Sequence, residues 1–255
     1  MCGIVGIIGL GPAAPRIVTA LRRLEYRGYD SAGVATLEAN GLTRVRAEGK
    51  LKNLEAKLEN APLAGAIGIG HTRWATHGKP TETNAHPHAS DRLAVVHNGI
   101  IENFKSLREE LSAKGHRFAT ETDSEVAAFL VTDEMAAGKG PAEAVLASLK
   151  RMRGAFALVY LFQGEDNLLI GARQGAPLAV GYGEGEMFLG SDALALAPFT
   201  DRVAYLEEGD WVVVTREATT GSSDYQGLPA QLHVIYAQLT KTAAGWVVSS
   251  WSPQT

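Results

Sequence analysis

Cys2 is the only cysteine in 255 residues and opens the run Cys2-Gly3-Ile4-Val5-Gly6 directly behind Met1. A thiol at that position has one chemical use beyond packing. Loss of Met1 would give a single residue both a thiol and a free α-amine, whose pKa of roughly 7.7–8 suits a base at neutral pH. Nucleophile and activator would then belong to the same residue. The competing reading is a packed thiol at the start of a strand, because free cysteine is often buried. Position alone leaves both open.

Three further segments concentrate reactive or binding groups. His71-Thr72-Arg73-Trp74-Ala75-Thr76-His77-Gly78-Lys79-Pro80 follows an apolar run and ends in Gly-x-Pro, which marks a loop. Its arginine fork suits a carboxylate held through two parallel hydrogen bonds, or else the guanidinium packs on Trp74. In His97-Asn98-Gly99-Ile100, an amide side chain beside a glycine N–H offers two donors to an oxyanion on an acyl carbon. Asn-Gly is equally a favoured turn dipeptide. Asp123, just ahead of a helical stretch, reads as an N-cap or as a carboxylate for a substrate ammonium. His71, His77, His86, His88 and His97 invite a metal ion, but neither His-Glu-x-x-His nor paired cysteines accompany them, and none is expected. Gly9-Leu10-Gly11-Pro12 lacks the third glycine and the Lys-Ser/Thr pair of a phosphate loop, so it reads as a turn.

Periodicity supplies the elements that must position these groups. Gly3 to Leu10 is a buried strand and Pro12 to Glu25 a helix with one apolar face. Ser31–Glu38 and Leu42–Glu48, joined by Ala39-Asn40-Gly41, form a hairpin. A short helix through Leu51, Leu54 and Leu58 stops near Pro62. Strands follow at Ala66–His71 and Leu93–His97, then helices over Glu102–Lys114, from Glu125 to near Gly138, and from Pro141 to about Arg151. Six strands occupy Ala155–Phe162, Asn167–Ala172, Leu178–Tyr182, Met187–Leu189, Val203–Leu206 and Trp211–Thr215. Short connections favour antiparallel pairing and an α+β layered domain over residues 1–216. Residues 217–255 carry only Glu217, Asp224 and Lys241 as charges and read as an atypical C-terminal tail, although Leu232–Leu239 and Trp246–Val248 could pair as strands.

Composition narrows the partners. With 24 Lys and Arg against 28 Asp and Glu, and no basic run longer than Arg22-Arg23, no nucleic-acid partner is expected. No apolar stretch approaches the roughly 20 residues that cross a bilayer, so no membrane partner is expected. Glycine and two prolines interrupt residues 1–15, where an export segment would lie, and a cytoplasmic location is expected. One cysteine forms no internal disulfide.

The order and spacing of Met1-Cys2-Gly3-Ile4-Val5-Gly6, Arg23-Leu24-Glu25-Tyr26-Arg27-Gly28-Tyr29-Asp30-Ser31-Ala32-Gly33, the His71–Gly78 loop, Asn84-Ala85-His86-Pro87-His88, Val96-His97-Asn98-Gly99-Ile100-Ile101-Glu102-Asn103 and Glu121-Thr122-Asp123 are distinctive. Over residues 1 to about 216 the chain resembles the class II, N-terminal-nucleophile glutamine amidotransferases. Within them it is most similar to the glutaminase domains of the glucosamine-6-phosphate synthase family. The resemblance implies a four-layer α/β/β/α sandwich of mostly antiparallel sheets, and hydrolysis of L-glutamine to glutamate and ammonia through a γ-glutamyl thioester on Cys2. It further implies an oxyanion held by Asn98 and Gly99, a substrate clamp of Arg73 and Asp123, and closure of the loop bearing Trp74, Thr76 and His77. No cofactor is implied, and Arg27 carries no assigned role. In that family a sugar-phosphate isomerase domain follows, binds fructose 6-phosphate and receives the ammonia to give glucosamine 6-phosphate. That domain is absent here, so full synthase activity is not expected from this chain alone. Two alternatives remain: a class II partner with a phosphoribosyl or asparagine-type acceptor, opposed by the Arg73 loop, and a non-catalytic glutamine-binding module, opposed by the retained thiol.

Overall fold

The structure, a computed structural model, describes residues 2–74 and 78–217, and the backbone of 219–222, 235–242 and 245–253. The chain begins β1 (Gly3–Ile8), α1 (Ala13–Arg22), β2 (Ser31–Glu38), β3 (Gly41–Glu48), α2 (Leu51–Asn60) and β4 (Ile67–Arg73). It continues β5 (His88–Ala89), β6 (Leu93–Ile101), α3 (Phe104–Ala113), α4 (Glu125–Ala136), α5 (Pro141–Leu149) and β7 (Gly154–Phe162). Then come β8 (Leu169–Gln174), β9 (Ala179–Tyr182), β10 (Met187–Gly190), α6 (Ala193–Leu196), β11 (Arg202–Tyr205) and β12 (Trp211–Val214). The last strands are β13 (Thr219–Ser222), β14 (Ile235–Thr242) and β15 (Gly245–Pro253).

Two sheets result, one ordered β15-β14-β11-β9-β10-β1-β4-β2-β3 and the other β13-β12-β8-β7-β6-β5. Pairing between the named strands is antiparallel throughout, both across short links such as β7 to β8 and between strands far apart in the chain such as β1 and β10. The stretch read from sequence as a tail contributes strands to both sheets: β13 pairs with β12, and β14 pairs with β11 and β15. Of the stretch expected to form the first tail strand, Leu232 to Val234 lie outside the described residues.

Side-chain alternation sorts the core into three apolar layers. Ile4, Ile8, Ala35, Ile67, Ile69, Ala94, Val96, Ala157 and Val159 fill the space between the sheets. Val5, Ile7 and Val34 turn the other way, onto α1, α2 and α6. Leu93, Val95, Leu158 and Tyr160 face α3, α4 and α5. The expected four-layer α/β/β/α sandwich is therefore present. Because successive strand residues point to opposite faces, Cys2 falls on the side of Ile4, His71 and Arg73 on that of Ile69, and Asn98 on that of Val96. All four look into the inter-sheet space at one end. Among the described residues, no helix is long and apolar enough to cross a membrane.

Two expectations change. The helix from Pro12 ends at Arg22, and a separate 3-10 turn spans Glu25–Arg27. The strand expected at Leu93–His97 runs on to Ile101, so Asn98-Gly99 is not a turn but part of the β6–β7 ladder, with Asn98 opposite Ala157 and Gly99 opposite Phe156. Asn-Gly breaks strands only where the chain must reverse, and here β7 offers partners on both sides of the pair. Gly99 holds φ +110°, and a Cβ there would lie 2.0 Å from the Ala155 carbonyl oxygen. Gly99→Ala should therefore cost about 1–3 kcal/mol in strained backbone alone, read as a lowered urea midpoint. An unchanged midpoint would show that β6 does not hold this conformation.

Candidate active site

A cavity of about 350 Å³ opens at the polar end of the sandwich, lined by Cys2, Arg27, Trp74, Asn98, Gly99, Ile100, Gly175, Ala176 and Pro177. That volume lies in the range of small-molecule sites. Cys2 enters from β1, whose start is held by reciprocal hydrogen bonds: Ile4 N–H donates to Ser191 Oγ at 3.0 Å and Ser191 N–H to the Ile4 carbonyl at 3.1 Å. The thiol sits against the backbone of Trp74, accepting its N–H at 3.2 Å and donating to its carbonyl at 3.5 Å. Burial raises the Cys2 pKa above the ordinary thiol value, against the Trp74 hydrogen bond and the positive field of Arg73. The resting thiol is thus protonated at neutral pH and needs a base. Met1 lies outside the described residues.

Asn98 reaches across from β6. Its Nδ2 donates to the Cys2 carbonyl at 3.0 Å, and its Oδ1 accepts from His71 Nε2 at 3.0 Å. Asn98 and the backbone of Gly99 therefore stand in the cavity beside the thiol residue, as the sequence suggested.

Arg73 and Asp123 do not line this cavity. Arg73 is buried, with Nη1 donating to the Lys79 carbonyl and Nη2 to the Gly78 carbonyl, each at 3.2 Å. Burial lowers its pKa, opposed by the carboxylates of Asp123 and Asp30 and by Cys2 whenever its thiol is ionised, so clamp candidates and thiol share one electrostatic neighbourhood. Asp123 is not the N-cap of α4; Ser124 occupies that position. Its Oδ2 instead accepts the Ile101 N–H at 2.8 Å, tying the end of β6 to the start of α4. Next to it, His97 Nδ1 pairs with Ser124 Oγ at 2.8 Å. Trp74 is 46% exposed, and its ring meets Tyr29 edge-on at 5.6 Å. Thr76 and His77 lie outside the described residues.

Three other contributors were not singled out from sequence, and Arg27 was noted there without a role. Gly175, Ala176 and Pro177 form one wall, with Gly175 N–H held by the Glu208 carboxylate at 2.8 Å. A glycine and a proline after a strand were the available signal. Arg27 walls the cavity through an ion pair with Asp192, whose other oxygen caps α6 by accepting Leu194 N–H at 2.9 Å. Its Nε donates to the Tyr26 hydroxyl at 3.0 Å.

Of the histidines considered for metal, His71, His86 and His88 pack as a column, and His77 lies outside the described residues. The rings of His71 and His86 lie 4.1 Å apart and those of His86 and His88 4.3 Å apart. Among the described residues no three His, Cys, Asp or Glu side chains are placed to share a metal ion.

Comparison with known proteins bears on family and fold. A family model described as a glutamine amidotransferase domain matches residues 71–198. The chain belongs to that family. The amidotransferase domain is 67% identical over 220 residues to the glutamine–fructose-6-phosphate aminotransferase (isomerizing) of Brucella suis biovar 1, covering 86% of this chain and 36% of the relative. Its counterpart in Bradyrhizobium diazoefficiens is 66% identical with the same coverage. The chain thus spans about a third of the length of these relatives. Among solved structures, a glutamine phosphoribosylpyrophosphate amidotransferase from B. subtilis superposes with TM-score 0.77 at 24% identity, over 89% of this chain and half of that one. A glutamine aminotransferase class-II domain protein from Silicibacter pomeroyi gives 0.58 at 16% identity, over 86% of this chain and 98% of that one. At these identities the structural likeness bears on the fold alone.

The histidine column makes the amidotransferase domain sensitive to acid. Burial lowers the pKa of His71 to about 3 and those of His86, His88 and His97 below the ordinary 6.5, with Asp123 partly opposing the shift at His97. Unfolded, these rings take up protons below pH 6.5; folded, His71, His86 and His88 stay neutral. Stability is therefore little affected by them above that pH and falls as pH drops below it, by ~1 kcal/mol for each of these three between pH 6.5 and 5.5, with His97 adding in the same direction. Urea unfolding at pH 7.5 and 5.5 measures this, and equal free energies at the two values would contradict it.

Proposed function

We propose that this domain hydrolyses L-glutamine to glutamate and ammonia through a thioester on Cys2, after removal of Met1. The observation that carries the reading is the placement of Cys2, Asn98 and Gly99 in one cavity, with the Asn98 amide donor 3.0 Å from the Cys2 carbonyl. Glutamine enters with its side-chain amide at Cys2. The α-amine takes the thiol proton as Sγ attacks the amide carbon, and the C–N bond is still intact in the tetrahedral species. Asn98 Nδ2 and the Gly99 N–H receive the oxyanion there, donors worth most where water is excluded. The protonated amine passes its proton to the leaving nitrogen, ammonia departs and the γ-glutamyl thioester remains. Water then attacks the thioester by the same route, returning the thiol and releasing glutamate.

The other end of glutamine is a zwitterion. Arg73 takes its α-carboxylate, exchanging the Gly78 and Lys79 carbonyls for a charged acceptor, and Asp123 takes the α-ammonium. Closure of the loop that carries Trp74, Thr76 and His77 excludes water from the thioester. The reading requires Met1 loss, because a thiol whose pKa burial has raised needs the adjacent amine as its base. The names of the relatives support fructose 6-phosphate as the acceptor of the ammonia, on a sugar-phosphate isomerase domain supplied beyond this stretch of chain. No cofactor enters the scheme.

Intact mass should show loss of one methionine, and retained Met1 should abolish turnover. Glutamate release should vanish in Cys2→Ala and be severely reduced in Cys2→Ser, whose hydroxyl is far harder to activate; turnover surviving in Cys2→Ala would remove the proposed nucleophile. Arg73→Ala should lower kcat/KM by at least ~30-fold, the loss of a buried charged hydrogen-bond partner. A smaller change would take Arg73 out of the clamp.

A further inference from the structure

We infer that His71 is a positioning residue that fixes the side-chain amide of Asn98 in the one orientation able to donate toward the nucleophile; this rests on the proposed role of Asn98. His71 Nε2 lies 2.9 Å from the His97 carbonyl oxygen and 3.0 Å from Asn98 Oδ1. A backbone carbonyl is an acceptor only, so Nε2 must carry the proton, and it gives a three-centre hydrogen bond to both oxygens. The orientation of the Asn98 amide has an independent witness at its other end. Nδ2 faces the Cys2 carbonyl at 3.0 Å, again an acceptor only.

These contacts lock one another. Rotating the Asn98 amide by half a turn would set its NH₂ against the His71 N–H and its oxygen against the Cys2 carbonyl. Two repulsive contacts would replace two hydrogen bonds, and the one at His71 is buried where no water can repair it. The lock works only while His71 is the Nε2–H tautomer. Its surroundings hold it so: Nδ1 is buried without a hydrogen-bond partner among the described residues, and the ring stacks on His86 at 4.1 Å. Burial keeps the ring neutral across the physiological range, with a pKa of about 3. Asn98 thus meets substrate with its donor already aimed, and no reorganisation is needed when the oxyanion forms. His71 touches neither the thiol nor the cavity, so it acts entirely through Asn98.

The test combines spectroscopy on the unaltered chain with a double-mutant cycle. In ¹⁵N-labelled protein, His71 should show the Nε2–H tautomer with no titration between pH 5 and 8; an Nδ1–H tautomer or a titrating ring overturns the inference even if no variant folds. His71→Phe keeps the ring volume and deletes the donor. It should lower glutaminase kcat by about 10- to 100-fold, the range expected when a catalytic group is misplaced, with KM little changed. In an Asn98→Ala background the same substitution should have no further effect on kcat, because the amide that His71 orients is gone and the remaining bond to the His97 carbonyl holds no catalytic donor. Wild-type kcat in His71→Phe, or additive losses in the double variant, would overturn the positioning role. Wild-type kcat in Asn98→Ala would instead overturn the proposed catalytic role of Asn98 itself, so the two failures are distinguishable.

Discussion

The Asn98 amide joins the two sheets at the point where the apolar layer between them ends. Cys2 leads into β1 of the nine-stranded sheet, and Asn98 belongs to β6 of the six-stranded one. The hydrogen bond from Asn98 Nδ2 to the Cys2 carbonyl crosses the gap that Ile4, Ile69, Val96 and Val159 fill further in. The distance between thiol and amide is therefore set by how those side chains pack, and close-packed interiors resist change of even a methylene. A site built on facing strands inherits that rigidity. Gly99 adds to it, because its positive φ and its approach to the Ala155 carbonyl admit no other residue without displacing β7.

Polar groups at this end of the sandwich are costly to bury, and the structure meets the cost by pairing most of them. Arg73 is spent on two carbonyls, Asp123 on the Ile101 N–H, His97 on Ser124 and His71 on two oxygens. Among the described residues, the buried atoms left without partners here are the hydroxyls of Ser31 and Thr72 and imidazole nitrogens, both of those on His86 included. Neutral imidazole is a cheap group to bury unpaired compared with a charge. That explains why histidine, rather than a carboxylate or lysine, fills the space behind the site, and why acid is the condition it cannot tolerate.

Most of the architecture was legible in the sequence because strand alternation and apolar helix faces are local signals. The Ser31–Glu48 hairpin and the three central helices fall within a few residues of their expected bounds. What local pattern could not carry was long-range pairing. Asn98-Gly99 reads as a turn in isolation and becomes strand only because β7 is present to pair with it. Asp123 reads as a helix cap, yet its carboxylate is claimed by an N–H 22 residues earlier. The short helix α6 was overlooked although Ser191-Asp192 is a fair capping signal, because four residues leave no periodicity to detect. The nucleophile candidate and its amide were found from residue type; His71 was seen only as a possible ligand, since nothing in the sequence says that its ring reaches another sheet.

The state of Arg73 bears on how such a site would distinguish an amino acid from a simple amide. Two of its acceptors are neutral carbonyls at 3.2 Å, longer than the 2.7–2.9 Å common for a guanidinium on a carboxylate. A carboxylate brought to the same fork would bind more strongly than the carbonyls it displaces, and that surplus is available to move the Gly78–Lys79 backbone. On the proposed clamp, a bare carboxamide offers no such exchange and would leave that backbone where it is. Recognition at one end of the substrate and closure over the thiol at the other would then be coupled through a single side chain. The coupling needs Arg73 to be buried and already bonded, because an exposed arginine would gain little by trading water for a carboxylate.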